Sequence, residues 1–137
     1  MTIFRYKEEK MGRGKKIRRP VADIFLKTQA DNWIEFHPYI DSGADLTLIP
    51  LSLGKLLGFS ADRRRVEQLG GISGSLPVIF EETIMRLGEE EFLIHLSWAQ
   101  VENVPPLLGR TDIFDVFEVI FRQYEDKVIF EKRGNGV

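Results

Sequence analysis

The sequence predicts an all-β domain carrying one or two short helices. Apolar and polar residues alternate with period two over most of the chain, and sustained 3.6-residue periodicity is scarce. Turn signals interrupt the alternation at Ala30–Asp31–Asn32, Gly70–Gly71, Gly88–Glu89 and Glu125–Asp126.

Each element follows from its residues. Thr2–Tyr6 alternates and leads into a basic cluster of Lys10, Arg13, Lys15, Lys16, Arg18 and Arg19, interrupted by Gly12 and Gly14. Residues 1–19 are set apart as a basic arm or hairpin, and 20–137 form the main domain with a C-terminal hairpin extension. From Trp33 to Ile40, Ile34, Phe36 and Ile40 share one parity opposite Glu35 and His37, which predicts a strand. Leu51–Leu57, following Pro50, reads as a short helix. Val78–Leu87 is a strand, and Glu91–Trp98 another, with Phe92, Ile94, Leu96 and Trp98 on one face opposite Glu91, His95 and Ser97. A second helical piece is expected at Asp112–Phe117. Phe117–Phe121 and Val128–Phe130 then pair as a hairpin around Gln123–Lys127.

Composition narrows the chemistry. The chain has 137 residues, 43% hydrophobic and 29% charged, which suits one packed domain rather than a disordered chain. Having no cysteine excludes disulfides, thiolate nucleophiles and Cys-based metal sites. His37 and His95 have no ligand-spaced partner, so each is read as a surface or hydrogen-bonded histidine, and no metal or other cofactor is expected. No apolar run approaches the roughly 20 residues of a membrane span, and no secretory h-region opens the chain, so a cytoplasmic location away from membranes is expected. The first 19 residues hold eight basic and two acidic side chains, the remainder eleven and nineteen. Nucleic acid is nonetheless not the expected partner. Two glycines inside the basic run favour a turn, and no aromatic is interleaved to stack on bases.

The informative stretch is Tyr39-Ile40-Asp41-Ser42-Gly43-Ala44-Asp45-Leu46-Thr47-Leu48-Ile49-Pro50. An apolar strand runs into Asp-Ser-Gly-Ala and turns apolar again at once. Small residues after Asp41 allow a tight turn and leave its carboxylate at the end of a buried strand. Such a carboxylate needs donors, which the Ser42 hydroxyl and nearby backbone N–H groups can supply. An Asp–Ser–Gly turn alone can merely cap its own backbone, but an exposed turn would have polar flanks.

This stretch resembles the active-site loop of the retropepsin-like aspartic proteases. Leu69-Gly70-Gly71-Ile72-Ser73-Gly74 resembles the glycine-rich tip of that family's flap hairpin, and Pro106-Leu107-Leu108-Gly109-Arg110-Thr111-Asp112 resembles the segment preceding its helix. The three motifs occur in the family's order across about residues 20–117. The resemblance implies a closed acid-protease β-barrel with one half-site per chain, because only one such Asp-Ser-Gly box is present. It therefore implies a homodimer acting on an extended peptide or protein substrate, with Asp41 catalytic. Ser42 matches the hydroxyl that hydrogen-bonds across the dimer, and Gly43 the backbone that approaches substrate. Ala44 completes the box. Asp45 and Arg110 match a pair that fixes the loop. Gly70, Gly71, Ile72 and Gly74 match the flap tip, and Leu48 and Leu107 match apolar pocket walls. The alternative function is a non-catalytic peptide-binding or interaction module on the same fold. The family's termini interleave at the dimer interface, whereas the C-terminal hairpin and longer N-terminus here imply a different construction.

Overall fold

A computed structural model describes residues 1–71 and 74–134; Ile72, expected at the flap tip, lies outside the described residues. The chain is predominantly β. Strands β1 (Thr2–Arg5), β2 (Lys7–Lys10), β3 (Lys16–Arg19), β4 (Ile24–Lys27), β5 (Trp33–Phe36), β6 (Tyr39–Ile40) and β7 (Thr47–Ile49) precede helix α1 (Leu51–Leu56). Then follow β8 (Glu67–Gly71), β9 (Gly74–Leu87), β10 (Glu90–Ala99), β11 (Leu107–Leu108), β12 (Phe117–Arg122) and β13 (Lys127–Lys132). The main sheet is curled and runs β5-β4-β9-β10-β7-β11-β6, with β8 paired to β9. A separate sheet runs β1-β13-β12, and β2–β3 form a hairpin of their own.

The β9–β10 hairpin is the backbone of the main sheet, in register from Leu87↔Glu90 to Val78↔Ala99. Its turn uses Gly88 at φ 61, a conformation costly for residues with a Cβ. On β10 the expected alternation holds from Glu91 to Leu96, but Ser97, Trp98 and Ala99 are all buried. Two clusters enclose this end: the main core around Trp98, Ile94 and Leu96, and a smaller group of Leu48, Val78 and Ala99. Ser97, expected on the polar face, is 1% exposed and is satisfied by donating from Oγ to the Thr47 carbonyl at 3.1 Å.

Two further expectations change. Trp33–Ile40 is two strands: β5 pairs with β4, while β6 pairs in parallel with β11. Pro38 lies between them with no N–H for a ladder, and its carbonyl accepts from Ala22 N–H instead, at 3.0 Å. Asp112–Val116 is a run of turns, and Phe117 already opens β12. Asp112 sits at φ 71, outside the helical region, and its carboxylate accepts from the backbone N–H of His95 at 2.7 Å. The expected helix after Pro50 and the C-terminal hairpin both form.

Helix α1 packs directly on Trp98, whose Nε1 donates to the Leu51 carbonyl at 3.0 Å. A Cβ at the buried Gly54 would overlap the Trp98 indole ring. Gly54→Ala should therefore destabilise by about 1–3 kcal/mol through overpacking, although alanine favours helix by about 1 kcal/mol. The measurement is urea unfolding, where a lower midpoint at unchanged slope is expected.

Candidate active site

The candidate site is built where three short strands interlock. β11 lies between β6 and β7, so the loop 41–46 joining those two strands must cross it. Asp41 N–H donates to the Leu108 carbonyl at 3.0 Å, extending the β6–β11 pairing up to the loop's first residue. The loop then turns back: Ala44 N–H reaches the Asp41 carbonyl at 3.2 Å, and Gly43 N–H donates to Asp41 Oδ1 at 2.8 Å. A Cβ on Gly43 would sit 3.2 Å from that oxygen, closer than side chains ordinarily approach. Asp41 is half-buried and Ser42 is exposed. Among the described residues, Gly43 alone donates to the Asp41 carboxylate, and the Ser42 hydroxyl makes no bond within the chain.

Below the loop, Thr47 is completely buried and its Oγ1 accepts from Gly109 N–H at 3.1 Å. Gly109 runs so close to Leu46 that a Cβ would overlap the Leu46 carbonyl. On the far side, Arg110 N–H donates to the Ala44 carbonyl and Thr111 N–H to that of Asp45, each at 2.9 Å. The Arg110 guanidinium also donates from Nη2 to Asp45 Oδ1. That ion pair is open to water, with side chains 50% and 82% exposed, so it contributes at most about 1 kcal/mol within one chain. The backbone bonds hold the loop more firmly than the charges do.

The loop separates two concavities. One of about 310 Å³ is lined by Gly43, Ala44, Asp45, Leu46, Leu48, Leu69, Gly70, Ser97 and Leu107. It brings together the loop, the two expected apolar walls and the β8–β9 hairpin. The other, about 540 Å³, includes Asp41, Ile40 and Leu107 but also Glu9, Arg19, Pro20, Tyr39 and Pro105. Of the hairpin glycines, only Gly74 has positive φ, at 123. Gly70 and Gly71 lie within β8, extended toward the tip rather than forming the turn.

Several contributors were not singled out from sequence. Thr47 is the one polar residue in Leu46–Ile49, which is its only sequence signal. On the other flank, Tyr39 Oη donates to Glu9 Oε1 at 2.5 Å, and Arg19 Nε lies 3.1 Å from Glu9 Oε2. The Arg19 guanidinium rests 5.3 Å from the Tyr39 ring centroid. The hydrogen-bonded Glu9 carboxylate, followed by burial, raises the Tyr39 phenol above its ordinary range. Through this cluster the basic N-terminal hairpin forms one wall beside Asp41. Neither histidine lines either concavity. His37 Nδ1 meets Asp23 Oδ1 at 2.8 Å, and His95 Nδ1 meets Asp112 Oδ2 at 2.9 Å.

Comparison with solved structures places the fold. The chain resembles a retropepsin-like aspartic protease from Rickettsia conorii, with TM-score 0.62 and 13% identity over 93% of this chain and 98% of that one. It also resembles EIAV protease complexed with the inhibitor HBY-793, with TM-score 0.55 and 16% identity over 78% of this chain and 93% of that one. No sequence-family profile and no curated protein sequence matches. The fold is retropepsin-like.

The Asp112 carboxylate, by hydrogen bond and then by charge, raises the His95 imidazole above its ordinary value of 6.5. A histidine raised in the folded state adds stability that is fully present below its unfolded value and fades as pH climbs through the folded one. Asp112→Asn should lower the His95 titration midpoint in NMR. It should also flatten the loss of melting temperature as pH rises above about 6.5.

Proposed function

We propose that this chain is one protomer of a homodimeric aspartic endopeptidase, in which two copies complete a closed β-barrel around a composite site. The observation that carries the proposal is Asp41. It is a half-buried carboxylate at the end of β6, turned by Gly43 and flanked by concavities that share the apolar wall Leu107, on a retropepsin-like fold. One chain supplies one such carboxylate, so the site needs its symmetric copy.

Two carboxylates about 3 Å apart cannot both ionise and share one proton. The ionised oxygen takes a proton from a water held between them, while the protonated carboxyl donates to the carbonyl oxygen of the scissile bond. Water attack gives a tetrahedral gem-diol, which collapses as the leaving amine is protonated. Gly43 N–H fixes one Asp41 oxygen and thereby the plane of the carboxylate. An extended substrate would lie across the loop, with alternate side chains directed at Leu48, Leu107 and Leu69. The β8–β9 hairpin serves as the flap: Leu69 and Gly70 border the concavity, and closing over the substrate excludes water. Ser42, exposed within one chain, is free to hydrogen-bond across the dimer.

Asp41→Asn should abolish cleavage of a peptide library with circular dichroism and self-association unchanged, because the amide keeps the shape but cannot shuttle the proton. Cleavage near the wild-type rate would remove Asp41 from the mechanism. If wild type and variant bind peptides equally and neither cleaves, the non-catalytic module is the correct reading.

The flap makes a second demand. Gly74→Ala forces a side chain into a backbone region almost reserved for glycine, at a local cost of about 1–3 kcal/mol. Gly12, at the tip of the N-terminal hairpin and away from the site, faces open space. Steady-state assays should show turnover falling severalfold for Gly74→Ala and little change for Gly12→Ala. Equal effects from both would detach the β8–β9 hairpin from gating.

A further inference from the structure

The N-terminal hairpin β2–β3 divides its charges between stem and tip. In the stem each cation is matched. Lys7 Nζ lies 2.6 Å from Asp23 Oδ1, Lys16 Nζ 3.2 Å from Glu8 Oε1 and Arg19 Nε 3.1 Å from Glu9 Oε2, while Arg18 pairs with Asp126. Among the described residues no carboxylate answers Lys10, Arg13 or Lys15, and every residue from Lys10 to Lys16 is exposed. Lys10 also stands directly opposite Lys16 in the ladder, where like charges weaken a hairpin. The tip is nonetheless a built turn. Met11 N–H donates to the Lys15 carbonyl at 2.6 Å, and Arg13 adopts φ 66, which residues with a Cβ seldom do. Cations held together without counter-charges favour an anion supplied from outside the chain.

The place of the hairpin decides which anion. Glu9 and Arg19 line the same concavity as Asp41, so the stem is a wall of the candidate active site and the tip is its outward continuation. The tip begins one residue past Glu9, and an extended chain advances about 3.3 Å per residue. Polypeptide leaving the concavity over this wall therefore meets Lys10 and then Arg13 within a few residues. Residues 20–137 hold eleven basic and nineteen acidic side chains, so an acidic segment is repelled by the body and attracted at the tip. A long nucleic acid would set its phosphates against those carboxylates, and residues 7–19 offer no aromatic on which a base could stack. A short run of Asp or Glu matches three clustered cations without either conflict.

We propose that the tip of the N-terminal hairpin is an exosite for acidic segments of polypeptide substrates. Lys10, Arg13 and Lys15 bind carboxylates that flank the stretch seated at Asp41 and lie outside it. This rests on the protease reading and adds a substrate class to it. Two-fold symmetry sets one hairpin on each side of the composite site, so the acidic run can precede or follow the scissile bond.

The test extends one cleavable, uncharged peptide at either end with a run of glutamates, of glutamines or of lysines. At low salt the glutamate peptide should show a KM lower than the glutamine peptide by on the order of fivefold at equal kcat, since exposed ion pairs are individually weak and the tip supplies three. The gap should close in concentrated salt. Replacing Lys10, Arg13 and Lys15 together by glutamine should remove the preference. Replacing all three by glutamate should transfer it to the lysine peptide, a reversal that a damaged fold cannot produce. Fluorescence anisotropy with the Asp41→Asn protein repeats the comparison as binding alone, so the exosite is decided even where nothing is cut. Equal KM and equal binding for all three peptides, with cleavage intact, would overturn the exosite and leave the protease reading standing. Tip-dependent binding of the glutamate peptide by a wild type that cleaves nothing would uphold the acidic-segment site and overturn the protease reading. An oligothymidylate that binds the tip more tightly than the glutamate peptide would overturn the acidic-segment assignment in favour of nucleic acid.

Discussion

The threading of β11 between β6 and β7 is the constraint on which the rest of the structure depends. Two strands that follow each other in sequence are held apart by a third that arrives some sixty residues later, as the Leu107↔Leu48 pairing marks. The intervening loop has no slack. It is fixed from beneath by Thr47 and Gly109, at its start by the Leu108 carbonyl, and at its far side by the backbone of Arg110 and Thr111. A loop bonded this way on three sides presents Asp41 in one orientation. Glycine at 109 is required because another backbone occupies the space a side chain would need.

The loop and the strands around it were legible because each is written locally. Alternation identifies β9, β10, β12 and β13, and the apolar flanks of Asp-Ser-Gly mark the buried strand ends between which an otherwise exposed turn is held. What stayed hidden depends on partners distant in sequence. Ser97 has the parity of a surface residue, and only the arrival of Thr47 and the Leu48 cluster buries it. Asp112 lies two residues after Arg110 in a helix-like setting, yet a strand seventeen positions earlier claims its carboxylate and prevents the helix. Pro38 was visible, but the change of sheet partner across it was not. The pairing of β1 with β13 has no local signature at all.

The N-terminal hairpin shows how a charged segment acquires a place. Its glycine tip is solvated, as the interrupted basic run suggests, but its inner residues are committed. Glu9 and Arg19 close over Tyr39, and Arg18 pairs with Asp126 in the turn between β12 and β13. Lys7 and Arg18 thereby tie the hairpin to carboxylates of the body, Asp23 and Asp126, while Lys10, Arg13 and Lys15 stay exposed at its tip. One consequence is that the hairpin, the carboxylate loop and the terminal sheet share contacts and respond together to changes in any one of them.

The pairing of β1 with β13 also fixes the order in which the chain can finish folding. Thr2 meets Phe130 and Arg5 meets Lys127, so the first strand has no ladder until more than a hundred further residues exist. Ribosomes add about 5–20 residues per second, so a nascent β1 waits on the order of ten seconds for its partner. Closing so long a loop is entropically expensive and comes late. The edge of β12 is completed by the same hairpin that recruits β1. Until β13 has emerged, the nascent chain lacks the terminal sheet, and emergence of that strand times the completion of this part of the fold.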